Sequence, residues 1–257
     1  MCELLGVSAA GKIPINEQLK IFFSHSKEHS NGWGLALVDH DPFAIDKEAK
    51  KALDSLYLSQ KLKDEIKTSA CIAHIRKATI GEESVRNTHP FSKCDRSGRR
   101  WVLAHNGTIF DSEDVSPFQY KQKGSTDSER ILLFLVDQMN VWYREHRRAP
   151  QADERVGIVD AAIKRIVPGN KVNLMIYDGD LFYVHKNEPG TLYIKSLEQG
   201  VLISTQPLDS DGWKEFPQNQ LVVYCNGTPI YVGKKHDSTY VYDEEKMRPL
   251  YFAYSGL

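Results

Sequence analysis

The stretch STDSERILLFLVDQMNVWYREH, Ser125 to His146, decides how the whole chain is read. Ser125, Thr126 and Asp127 are N-cap residue types, whose side chains accept from the free N–H groups of a first helical turn. Behind them Ile131, Leu132, Leu135, Val136 and Met139 recur at three- and four-residue spacing, the apolar stripe of an amphipathic helix. The helix is expected to end before Pro150. DERVGIVDAAIKRIV, Asp153 to Val167, repeats the pattern and closes at Pro168-Gly169.

Outward from this pair the apolar period falls to two. Strands are expected over Glu3–Ser8, Gly34–Asp39, Ser69–Arg76 and Trp101–His105, with helices over Asn16–His25 and Lys47–Tyr57. After the central helices, KVNLMIYDGDLFYVHK (Lys171–Lys186) reads as a hairpin turning at Asp178-Gly179. GVLISTQPL, NQLVVYCNGTPIYVG and STYVYD follow as further strands. Strands, then helices, then strands again exclude an alternating βαβ plan. They predict an α+β protein, an αββα sandwich of two antiparallel sheets flanked by helices. No repeat, linker or shift in composition divides residues 1–257, so one domain is expected.

Composition narrows the function. A net charge of -1 argues against a nucleic-acid or anionic-membrane binder, which needs a basic excess. The clusters RSGRR and REHRR read as a hairpin tip and a helix C-terminus. No run is apolar enough to span a bilayer and no signal peptide opens the chain, so the expected compartment is the cytosol. Cys2, Cys71, Cys94 and Cys225 lack CxxC spacing, and no phosphate-binding glycine loop or HExxH occurs. His74, His89 and His105 match no zinc spacing, so no metal and no organic cofactor is expected.

Chemistry concentrates at strand ends. Were Met1 removed, Cys2 would carry a thiol nucleophile and, on the same residue, an α-amine able to act as its base. In AHIRKATIG a strand delivers Arg76, whose planar fork matches a carboxylate, with Thr79 beyond it. In WVLAHNGTI, the Asn106 amide and the Gly107 N–H form a pair of donors suited to an oxyanion. Asp127 at the helix start offers a carboxylate for an ammonium ion. Each has a plainer reading: a buried cysteine opening an edge strand, a solvated arginine, an Asn-Gly hairpin turn, a helix cap.

Taken in order, Cys2, Arg76-x-x-Thr79, Asn106-Gly107 and Thr126-Asp127-Ser128-Glu129 resemble the glutaminase domain of class II glutamine amidotransferases, which are N-terminal-nucleophile (Ntn) hydrolases. MCELLG, NGWG, NTHPF, AHNG, TDSE and STQPL resemble the stand-alone, single-domain branch of that family. The resemblance implies the Ntn-hydrolase fold and Cys2 as nucleophile on the γ-carboxamide of glutamine or a small γ-glutamyl amide. It implies Asn106 and Gly107 at the oxyanion, Arg76 and Thr79 at the α-carboxylate, and Asp127 at the α-ammonium. It also places His89 at the pocket rim and Trp33 beside the nucleophile. Lys77 and Ile80 stand where the sugar-phosphate member of the family carries Trp and His. A separate ammonia-accepting synthase is a partner the resemblance suggests. For Thr205-Gln206-Pro207 the residues alone give no role. Two other readings stand beside this one: an N-terminal-cysteine amidase for other amides, and a non-catalytic binding or regulatory subunit.

Overall fold

Residues Glu3–Pro14 form β1, and this strand lies in the middle of its sheet, not at an edge. A computed structural model describes residues 2–39, 43–77 and 82–255, with side chains through position 249. Helix α1 (Asn16–Ser24) follows β1, then strands β2 (Trp33–Leu37) and β3 (Ala44–Glu48). After the short helix α2 (Leu56–Lys61) come β4 (Lys67–Ile75), β5 (Phe91–Cys94) and β6 (Arg100–Thr108). The central helices are α3 (Asp127–His146) and α4 (Ala152–Ile166). Beyond them run β7 (Lys171–Tyr177), β8 (Phe182–Lys186), β9 (Tyr193–Leu197) and β10 (Gly200–Ser204). Then come β11 (Trp213–Glu215), β12 (Gln220–Cys225), β13 (Thr228–Val232) and helix α5 (Glu244–Ser255).

Every strand pair is antiparallel. One sheet runs β11-β9-β10-β1-β4-β2-β3 and the other β13-β12-β8-β7-β6-β5. Because successive side chains on a strand point to opposite faces, β1 serves two cores at once. Leu5, Val7 and Ala9 pack with Leu19 and Phe22 of α1 on the outer face, while Leu4 joins Val102, Met175 and Phe182 between the sheets. A third core lies where β6 and β7 meet the apolar stripes of α3 and α4. The order is therefore helix, sheet, sheet, helix, and the expected four-layer α+β sandwich is the observed fold.

Between the sheets the approach is close at Gly6. A Cβ there would come within 2.7 Å of both Met175 Sδ and the Phe182 ring. Gly6→Ala is expected to destabilise the protein by about 1–3 kcal/mol, the range for overpacking a filled core. Urea unfolding checks this, and an unchanged midpoint would show that the sheets yield without cost.

Two sequence expectations are corrected. Lys47–Tyr57 is not a helix: Ala44–Glu48 pairs with β2, and the helix starts later, where Ser55 Oγ accepts from Leu58 N at 2.9 Å. The charged run concealed a period of two. STYVYD, residues 238–243, is not a strand. Single bonds hold it instead: Tyr240 N donates to Asn187 O at 2.8 Å, and Asn187 Nδ2 to Ser238 O at 3.0 Å. The Asp178-Gly179 turn forms as expected, with Gly179 at φ 108°.

Candidate functional site

Four elements bring their ends together at one margin of the inter-sheet layer. Cys2 precedes Glu3, which pairs with Ile75 of β4, so Cys2 lies beside Arg76 just past the end of that strand. Alternation puts Cys2 on the same face as Leu4, toward the second sheet. On β6, Val102 and Ala104 face the inter-sheet core, and Asn106 follows them on that face. Asn106-Gly107 is not a hairpin turn: both residues continue the ladder, opposite Asn173 and Val172 of β7. Gly107 is required by proximity, since a Cβ there would sit 2.1 Å from Lys171 O and 2.3 Å from His105 Nε2.

Asp127 reaches the same place from the N-terminus of α3. Thr126 caps that helix, its hydroxyl accepting from Glu129 N at 3.3 Å. This frees the next carboxylate to turn toward β6, where Asp127 Oδ2 accepts from Ile109 N at 2.7 Å. Arg76 is buried, and its Nη1 donates to Glu82 O at 3.0 Å. Thr79 lies outside the described residues.

The sulfur of Cys2 exchanges two long contacts with Lys77, accepting from its N–H and donating to its carbonyl, each at 3.4 Å. Although the residue keeps partial exposure, burial of the sulfur pushes the thiol above its ordinary value. The Lys77 N–H and the Arg76 charge oppose that shift, and Asp127 adds to it. Cys2 thus feels both charges of the proposed clamp. In the Met1-bearing chain, alkylation of Cys2 by iodoacetamide is therefore expected to be slower at pH 7 than in the unfolded chain. Its rate should still be climbing at about pH 9, above the ordinary thiol value near 8.5. Peptide mass spectrometry across about pH 6–10 checks this, and a plateau below about pH 8 would contradict it.

Asn106 is 1% exposed, and its Nδ2 has no hydrogen-bond partner among the described residues. Buried amide donors are seldom left so. Nearby, the His74 and His89 rings meet at a tilt of 48° with centroids 4.1 Å apart, and none of their ring nitrogens has a partner among the described residues. Burial, with Arg76 contributing, drives both imidazoles well below their usual pKa, so they are neutral near pH 7. His105 is fixed between Ser128 Oγ and Lys171 O, both at 3.0 Å. Among the described residues no group of three or more His, Cys, Asp or Glu side chains could hold a metal ion.

Trp33 does not join these residues. Its side chain lies on the α1 face of the sheet, fully buried among Phe23, Leu35 and Ile75, and donates through Nε1 to Glu48 Oε2 at 3.1 Å. It is the neighbouring Gly34 that turns toward the inter-sheet layer, so close to His89 O that a Cβ would stand 2.0 Å away.

The outer face behind Cys2 holds residues that the sequence left without a role. Glu3, 2% exposed, sits between His25 Nδ1 at 2.8 Å and Gln206 Nε2 at 3.0 Å, and its hydrogen bond raises the His25 pKa. Thr205 clasps the next residue, its Oγ1 accepting from Leu4 N at 2.7 Å and its N–H donating to Leu4 O at 3.0 Å. Thr205 and Gln206 thus fix the start of β1 from 201 to 203 residues away. No local pattern signals such a contact.

Comparison with known proteins shows the family and the fold. Residues 1–197 match the family model described as glutamine amidotransferases class-II. A protein of Methanocaldococcus jannaschii, "Uncharacterized protein MJ1515", is 31% identical over 91% of this chain and 72% of its own. The Escherichia coli protein named "Putative glutamine amidotransferase YafJ" is 30% identical over 90% of this chain and 100% of its own. Among solved structures, the glutamine phosphoribosylpyrophosphate amidotransferase of B. subtilis shares the fold with a TM-score of 0.64. It is 15% identical, and the match covers 89% of this chain and 48% of that one.

Proposed function

The chain belongs to the class II glutamine amidotransferases, and we propose that it releases ammonia, or an amine, from glutamine or a small γ-glutamyl compound by acyl transfer through Cys2. The observation that supports this reading is the buried Asn106 Nδ2, without a partner among the described residues, on the face of one sheet that looks across the inter-sheet layer to the face carrying Cys2. A donor held dry and unused across from a nucleophile is preorganised for charge that appears only during reaction.

The steps follow from the residues. A thiol raised by burial is protonated at rest, so it needs a base. Removal of Met1 would leave the Cys2 α-amine, ordinarily near 8, to take that proton. The thiolate attacks the γ-carbonyl carbon, and the oxygen, now negative, is held by the Asn106 amide and the Gly107 N–H. Collapse breaks the C–N bond; the amine leaves with the proton and a γ-glutamyl thioester remains on Cys2. Water then adds to the thioester and expels the thiol, giving glutamate. Arg76 binds the α-carboxylate with Thr79 beside it, Asp127 binds the α-ammonium, and His89 borders the pocket. The freed ammonia is available to a separate acceptor synthase. The whole chain acts as a single glutamine amidotransferase type-2 domain.

The experiment is to incubate the processed protein with a diazoketone analogue of glutamine and with its des-amino counterpart. A single covalent adduct on Cys2 from the α-amino acid alone supports the reading. Equal labelling by both would indicate an amidase without an amino-acid clamp, and no labelling of a chain shown to begin at Cys2 would indicate a binding subunit.

A further inference from the structure

A second pocket opens where the two sheets present neighbouring edges. Strand β3 is the margin of one sheet and β5 the margin of the other. Between them lies a cavity of about 360 Å³, within the usual size range for small-molecule sites. Phe43 and Ile45 form one wall and Phe91 another; Arg86, Lys123 and Lys47 bring three cations to it.

Lys47 is the central group. Its ammonium donates to Thr88 O at 2.9 Å and Pro90 O at 3.3 Å, and stands 5.4 Å from the centre of the Phe91 ring. Three N–H bonds meet two carbonyls among the described residues, so one donor is left for the cavity. Burial lowers its pKa to about 8, the Glu129 charge opposing that shift. Glu129, the acid on the rim among the described residues, has both carboxylate oxygens occupied, accepting from Lys123 N at 2.9 Å and Gly124 N at 2.8 Å. Arg86 and Lys123 are both exposed at the mouth.

A partly buried ammonium with an unused donor, flanked by two further cations and walled by aromatic rings, is complementary to a negative head group on a flat apolar body. We propose that this edge pocket binds a small organic anion, its carboxylate or phosphate held by Lys47, Arg86 and Lys123 and its body lying against Phe43 and Phe91. The site is separate from the nucleophile, divided from it by the His89-Pro90 segment whose flanking carbonyls Lys47 holds.

Isothermal titration of the full chain with phenyl phosphate, benzoate and benzyl alcohol tests this. Phenyl phosphate, benzoate or both should bind with Kd below about 1 mM and the alcohol should not; which anion binds more tightly identifies the head group. Lys47→Met should weaken binding about tenfold or more, the loss expected for a charge-assisted hydrogen bond. Because Lys47 also braces the chain, the exposed pair Arg86→Glu with Lys123→Glu serves as the second variant and should weaken it likewise. The proposal is overturned if neither anion binds below about 5 mM, if the alcohol binds equally, or if binding survives the double charge reversal. Loss in Arg76→Ala with retention in the double variant would overturn it as well, placing the anion at the Cys2 site instead.

Discussion

Cys2→Ala is expected to abolish release of ammonia from glutamine, lowering kcat/KM by at least about 10³-fold, while leaving thermal unfolding unchanged. The first half follows from covalent catalysis: without sulfur no thioester forms, and the oxyanion donors and charge clamp alone cannot split the step in two. The second follows from the contacts. Among the described residues the Cys2 sulfur makes only the two 3.4 Å hydrogen bonds with Lys77, and the start of β1 is fixed by Thr205 and by Glu3, not by the sulfur. A steady-state ammonia assay and a melting curve on the same preparation check both halves. Retention of more than about a tenth of the activity would exclude Cys2 as the nucleophile.

The second large effect belongs to Asn106. Asn106→Ala should reduce kcat by about 10²–10³-fold, the usual loss for one oxyanion donor, with KM changed less than about threefold. The split matters more than the size. A residue that held the substrate's head group would move KM, as Arg76 and Asp127 should; one that meets only developing charge moves kcat. Asn106→Asp supplies the control: the shape stays, but a donor becomes an acceptor, and the activity should fall at least as far. If either variant raised KM with kcat intact, Asn106 would be a binding residue and the oxyanion would need another donor.

Much of this was legible in the residues, because the informative signals were local. The cap at Thr126 and the stripe from Ile131 to Met139 specify α3 without help from the rest of the chain, and the strand–helix–strand order then dictates the layers. Where the reading failed, two local codes overlapped. Lys47 and Glu48 look helical by charge, yet Ile45 and Lys47 share one face of an edge strand that meets Phe91 across the sandwich. For Asn106-Gly107 it is the plainer alternative, a hairpin turn, that the structure removes: β7 continues to pair with both residues, and the glycine is demanded by the approach of Lys171 O, not by chain reversal. Trp33, expected beside Cys2, lies in the outer core, and the next residue, Gly34, faces the inter-sheet layer; on a strand, one residue is the difference between the two faces. Thr205 and Gln206 stood out by resemblance but without a role, and Glu3 not at all, since the physical link between them exists only after β10 has docked on β1.

That clasp bears on how the protein comes into being. Strand β1 is flanked by β4 on one side and β10 on the other, so its second neighbour lies about two hundred residues further along the chain. Long-range pairing of this kind closes late, after the entropy of the intervening loop has been lost. The strand that carries Cys2 therefore keeps one edge unpaired until residues 200–206 close on it, and its seating is among the last long-range events of folding.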